Sequence, residues 1–306
     1  MLQDTLSYEE WQAGLYHKIM TSICDSASTE LARDWFWVID TCAHSELPDI
    51  FWKLDNSSSA SPLYMNTYRE EELRTGPWLI PCQLNSGASQ WIFNQAQQIP
   101  LGFLVSTNKG TEDMLFEHFQ NLLECSVRYT DGSLKKILYR YYDPRVLYAI
   151  GTYCEQTRTV LIKGPARSLH AWDPGRQACI NRYYTNDKLT IAPEQHTLTQ
   201  AFLDTIFEKN KIHTVIGSLG GQTGELLRSK PLSEAYAYVS GIYSIIEDST
   251  FNSVADLGFI TAYALSSPDN RWEETLFRIM QDKPAQYTAL SEAFTQRTQS
   301  DHNHLF

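Results

Sequence analysis

The chain has 306 residues and a net charge of −11. That acidity argues against a nucleic-acid partner, whose binding rests on clustered Lys and Arg. The composition, 42% hydrophobic and 20% charged, is that of an ordinary water-soluble globular protein. No window nears the roughly 20 consecutive apolar residues of a membrane span, so no membrane partner is expected either.

Single cores stop growing near about 250–300 residues, so two domains are expected. The first residues, Met1 to Glu10, have no basic start and no apolar run, which predicts a cytoplasmic protein without a secretory signal. Cys24, Cys42, Cys82, Cys125, Cys154 and Cys179 are widely spaced, with no C-x-x-C pair. Buried thiols are the simplest reading, and neither disulfides nor a metal or cofactor is predicted.

Ser7-Tyr-Glu-Glu10 fits a capping box, and Trp11, Leu15 and Ile19 then mark one face of a first helix. Trp35-Phe-Trp-Val-Ile39 is almost continuously apolar, as a strand covered on both faces should be. A short helix over Leu47 to Leu54 and a Ser-rich loop over Asp55 to Ser61 follow. Gly76-Pro-Trp-Leu-Ile-Pro81 reads as a second strand, Ala88 to Gln97 as a helix, and Leu101 to Val105 as a third strand. Thr111 caps a helix with Leu115, Phe119 and Leu122 on one stripe. Asp131-Gly132 joins Ser126–Thr130 and Ser133–Tyr142 as a hairpin. The second of these strands is expected to run straight into a helix. Asp143 has the carboxylate of an N-cap, Pro144 suits the first helical position, and Val146, Leu147 and Ile150 supply an apolar face. Thr159 to Ile162 supplies a further strand.

Near residue 173 the character changes. Asp173-Pro-Gly-Arg176 is a turn, and no clear period follows before Pro193. Beyond it the apolar positions recur at helical spacing, as in Ala235, Val239, Ile242 and Ile246, with Ser233 and Thr250 as caps. The expected fold class is therefore α/β (α+β). A lobe over 1–172 holds a mixed sheet flanked by helices, 173–193 is a connection, and 194–306 is an all-helical lobe.

Few residues read as chemistry. Asp40, Cys42 and His44 leave a buried strand at the kind of end where α/β proteins place active sites, so a thiol nucleophile with a histidine base is one reading. Neighbours at i and i+2 need not face each other, however, and no known local signature surrounds Cys42. Gly217 to Gly224 invites a phosphate-loop reading, but Glu225 stands where a phosphate loop has Lys, so a helix–helix connection is expected. His302 and His304 with Asp301 form no closed metal shell. Glu70-Glu71-Glu72, followed by Arg74, reads as a solvated face. Arg140 and Arg145 flank the Asp143 corner, and a half-buried Arg needs a carboxylate partner; Asp143 is the nearest in sequence.

The ordered set Trp35-Phe-Trp-Val-Ile-Asp40, Gly76-Pro-Trp-Leu79, Gly102 to Ser106, Phe116-Glu-His-Phe119 with Leu122-Leu123, Arg140-Tyr-Tyr-Asp-Pro-Arg145 and Gly164-Pro165 resembles the type VI secretion adaptor family, over about residues 33–172. These are effector chaperones that load toxins onto the VgrG spike. The resemblance implies a cytoplasmic, non-catalytic adaptor with no cofactor. Its implied partners are an effector protein and the VgrG spike or its PAAR tip. The signature and binding candidates are Asp40, Gly76, Pro77, Trp78, Arg140, Tyr142, Asp143, Pro144 and Arg145. A chaperone of this kind is expected to present an apolar cleft or an open strand edge. The alternative is a cytosolic hydrolase or transferase using Asp40, Cys42 and His44.

Overall fold

The computed structural model describes residues 6–24, 33–44, 46–55, 60–157, 162–184, 197–267, 271–281 and 290–292. Its contacts divide the chain into two compact units, Met1–Lys209 and Asn210–Phe306.

In the first unit, α1 (Tyr8–Cys24) begins at the expected capping box. The Ser7 amide donates to Glu10 Oε2 (2.9 Å) and the Glu10 amide to Ser7 Oγ (3.2 Å). There follow β1 (Arg33–Asp40), α2 (Leu47–Asp55), β2 (Ser61–Pro62), β3 (Pro77–Pro81), α3 (Gly87–Ala96), β4 (Gly102–Asn108) and α4 (Glu112–Leu122). Then come β5 (Glu124–Arg128), β6 (Leu134–Leu138), α5 (Pro144–Thr157), β7 (Ala166–Asp173), β8 (Ala178–Tyr183), β9 (Thr197–Thr199) and α6 (Gln200–Lys209).

The main sheet has six strands in the order β2-β3-β1-β4-β7-β8. Every pairing in it is antiparallel. The expected mixed pairing lies instead in a smaller sheet, β6-β5-β9, where β9 runs parallel to β5. β1 lies inside the main sheet, which explains its unbroken apolar run. Phe36 and Val38 enter a core with Phe103, Phe119 and Tyr141, while Trp35, Trp37 and Ile39 face Trp11, Leu15 and Ile19 of α1. At Gly102 the strands pass so closely that a Cβ would sit 2.0 Å from the Val38 carbonyl oxygen.

Three expectations change. The strand before the Asp143 corner ends at Leu138, not Tyr142. Tyr141 and Tyr142 are consecutive and both buried, which an alternating strand with one solvated face does not allow, so residues 139–143 turn instead. The expected connection over 173–193 contains β8, joined to β7 through the Asp173 turn, while residues 185–193 lie outside the described residues. The contact boundary therefore falls at Lys209/Asn210, because β9 pairs with β5 and Phe202 of α6 enters the first unit's core. Of the expected strand over Thr159 to Ile162, only Ile162 is described, and it is not in a strand.

The second unit comprises α7 (Lys211–Ser218), α8 (Gly221–Arg228), α9 (Leu232–Ile246), α10 (Val254–Ser266) and α11 (Arg271–Gln281). They close on a core that includes Val239, Ile242, Leu257, Ile260 and Leu276. Ser233 lies inside α9, and the cap of α10 is Ser253, whose Oγ accepts from the Asp256 amide (3.1 Å). The glycine-rich stretch is mostly helix, with only Leu219 and Gly220 connecting α7 to α8.

Candidate functional site

The end of β1, the start of β3 and the turn between β6 and α5 meet at one corner of the first unit. Asp40 closes β1, where register sets it opposite Pro77. Its amide donates to the Leu101 carbonyl (2.7 Å). Its carboxylate is buried and serves two partners: Oδ1 accepts from the Cys42 amide (3.0 Å), and Oδ2 from Arg140 Nη2 (2.5 Å). The Arg140 side chain is 45% exposed and the Asp40 side chain 3%, so a buried anion holds a half-exposed cation. Arg140 also lies over the Tyr142 ring, 5.8 Å from its centroid. Burial alone would lower the Arg140 pKa, but Asp40 holds it above its ordinary value.

One turn further on, Asp143 caps α5 as expected, with Oδ1 accepting from the Arg145 amide (2.9 Å). The same carboxylate takes the Arg145 side chain in a fork, Nε to Oδ1 at 2.9 Å and Nη2 to Oδ2 at 2.6 Å. Pro144 opens the helix at its first position. The two arginines thus divide their partners. Arg145 pairs with Asp143 as the sequence suggested, while Arg140 pairs with Asp40.

Gly76, immediately before β3, meets this corner. Its carbonyl accepts from Thr41 Oγ1 (2.7 Å), and its bare Cα lies against the Tyr64 ring, where a Cβ would come within 2.3 Å. Tyr64, which no sequence pattern marks, is buried and stands 3.5 Å hydroxyl to hydroxyl from Tyr142. Trp78 adjoins the corner by backbone only. Its ring is buried in the opposite core and donates from Nε1 to the Leu73 carbonyl (2.7 Å).

The Asp40–Cys42–His44 grouping does not form a nucleophile–base pair. The Cys42 thiol donates to the Thr75 carbonyl (2.6 Å), and partial burial together with Asp40 pushes its pKa up, away from the thiolate. The His44 ring packs edge-on to Trp91. Among the described residues no group of three or more His, Cys, Asp and Glu could hold a metal ion, and His302 and His304 lie outside them.

A second polar network was not foreseen. Ser106 and Ser168 bond hydroxyl to hydroxyl (2.6 Å), Ser168 Oγ meets His170 Nε2 (3.0 Å), and His170 Nδ1 meets Asn181 Oδ1 (2.7 Å). Ser106, Ser168 and His170 are buried among the strands of the main sheet. Burial pushes the imidazole down to about 4. With the imidazole neutral, these groups and the half-buried Asn181 satisfy one another across β4, β7 and β8.

The corner and sheet define an α/β unit with a charge-paired strand-to-helix junction. Residues 35–160 match the sequence model of a family described as "Domain of unknown function (DUF4123)". The match spans β1 to α5 and so contains all nine signature candidates. No curated protein and no solved structure matches the chain. Among the described residues no helix is long and apolar enough to cross a membrane.

Proposed function

We propose that the protein is a non-catalytic adaptor of type VI secretion: it binds an effector in the bacterial cytoplasm and loads it onto the VgrG spike or its PAAR tip. The observation that carries this reading is convergence. Segments that resemble the adaptor family in sequence, Asp40, Gly76–Trp78 and Arg140–Arg145, meet in one corner, although up to 100 residues separate bonded partners. The family match over residues 35–160 covers these same segments. A corner fixed by paired charges, with the Arg140 head half-exposed, suits a docking surface more than a reaction centre.

The hydrolase or transferase alternative has less behind it, because the Cys42 thiol is held protonated and bonded to a carbonyl instead of a base. A deletion in the native bacterium separates the two readings. Loss of the adaptor stops delivery of one toxin while that toxin is still made and still active in extracts. Undiminished delivery rules the reading out.

A further inference from the structure

We infer that the outer edge of β6 is a docking site for an extended, acidic segment of a partner protein, added as a fourth strand to the small sheet. The inference rests on the adaptor reading for the partner's identity, but not for the site itself.

Among the described residues β6 is an outer strand, paired with β5 alone in the order β6-β5-β9. The hairpin bonds fix which backbone groups it has left over. The Tyr129 amide donates to the Ser133 carbonyl (2.9 Å) and the Tyr139 amide to the Leu123 carbonyl (2.8 Å). In an antiparallel ladder the bonded positions alternate, so Ser133, Lys135, Ile137 and Tyr139 turn their amides and carbonyls toward β5. Leu134, Lys136 and Leu138 turn theirs outward, and no backbone partner meets them among the described residues. Three evenly spaced donor–acceptor pairs are what an added strand engages.

Charge selects the occupant. From Leu134 to Leu138 the strand carries Lys135 and Lys136 and no acid, within a protein of net charge −11. Arg128 stands opposite Leu134 on β5. Nearby charges are only loosely used: Lys136 lies 3.5 Å from the partly exposed Glu124, and Lys135 rests over the Tyr129 ring. Lysines on an edge commonly guard it against unwanted pairing. Here they exclude basic strands and favour a strand whose carboxylates fall beside them. Leu134, 56% exposed, gives that strand an apolar contact.

The test uses the full chain and two synthetic extended peptides, one alternating Glu with Val and its counterpart with Lys for Glu. The acidic peptide is expected to bind and to slow hydrogen exchange at the Leu134, Lys136 and Leu138 amides by about tenfold or more, while the basic one does neither. Lys136→Pro removes an outward N–H without touching the β5 ladder, so the hairpin survives. It should weaken the acidic peptide at least about tenfold, whereas Lys136→Ala, which keeps the outward N–H and loses the charged side chain, should weaken it by about threefold or less. Equal affinity for both peptides, binding without protection of those three amides, or binding indifferent to Lys136→Pro overturns the inference. So does a Lys136→Pro-sensitive homodimer in sedimentation, which would make the occupant a second copy. In cells, a Lys136→Pro protein that still captures effector and spike overturns the edge alone; a wild-type protein that captures neither overturns the adaptor reading and leaves the peptide result standing.

Discussion

Asp40 and Arg140 form the pair on which the corner turns, and removing either has unequal consequences. Arg140→Ala leaves the buried carboxylate, among the described residues, with the Cys42 amide, which should cost about 1–3 kcal/mol, toward the low end because the guanidinium is half in water. Arg140→Lys restores the charge but not the planar head over Tyr142, and should recover part of the loss in urea unfolding. A stability unchanged by Arg140→Ala would show the pair to be ornamental. Sequence reading singled out both residues but joined Arg140 to Asp143. A tertiary pair leaves no spacing to read, whereas Asp143 and Arg145 declare themselves through a local cap. Cys42, exposed but held as the thiol, should alkylate slowly at neutral pH. Rapid alkylation that abolishes an enzymatic activity would favour the hydrolase alternative. His170 makes the fold sensitive to acid. The folded protein takes up this proton only near pH 4, while an unfolded imidazole takes one up below about 6.5. The unfolded state therefore binds more protons between these values. The contribution, up to about 3 kcal/mol, is present in full above pH 6.5 and is lost as the pH falls toward 4. His170→Asn should flatten that slope in a series of denaturation curves; an unchanged slope would assign the acid response to other groups.

At the scale of elements, the segment from β6 through its turn to α5 carries the most local information. Asp143→Ala removes the α5 cap and the Arg145 fork together, and should cost at least the ~0.5–2 kcal/mol of a lost cap. A loss of stability with unchanged partner binding would mark this part of the corner as scaffold. Gly102→Ala should be worse, by more than about 3 kcal/mol, since its Cβ would strike a backbone carbonyl that cannot swing aside. Loss of soluble expression would agree with this, and a thermal midpoint equal to wild type would not. Local chemistry made the Ser7 capping box, the Asp131-Gly132 hairpin and the buried β1 readable in advance. The stop of β6 at Leu138 was not, because tyrosines that suit a strand also suit a turn buried on both sides. The caps of the second unit were misread for a similar reason: several serines and threonines precede each apolar run, and only geometry selects among them.

For the whole molecule, the sequence suggested an α/β part and a helical part, and both exist. The division falls later than expected because β8, β9 and α6 complete the first unit. β8 was obscured by the absence of a clear period after Asp173, being short and joined to β7 by a turn; α6 shows a helical face in Phe202 and Ile206, but periodicity does not say which unit a helix packs into. The proposed work of the molecule is binding, and binding is what has to be measured. A tagged protein drawn from the cytoplasm of its native bacterium, with mass spectrometry of what co-elutes, tests this most directly. The adaptor reading predicts a toxin-like protein together with VgrG or a PAAR protein. Elution of the protein alone, under gentle low-salt conditions from cells expressing the secretion genes, would contradict it.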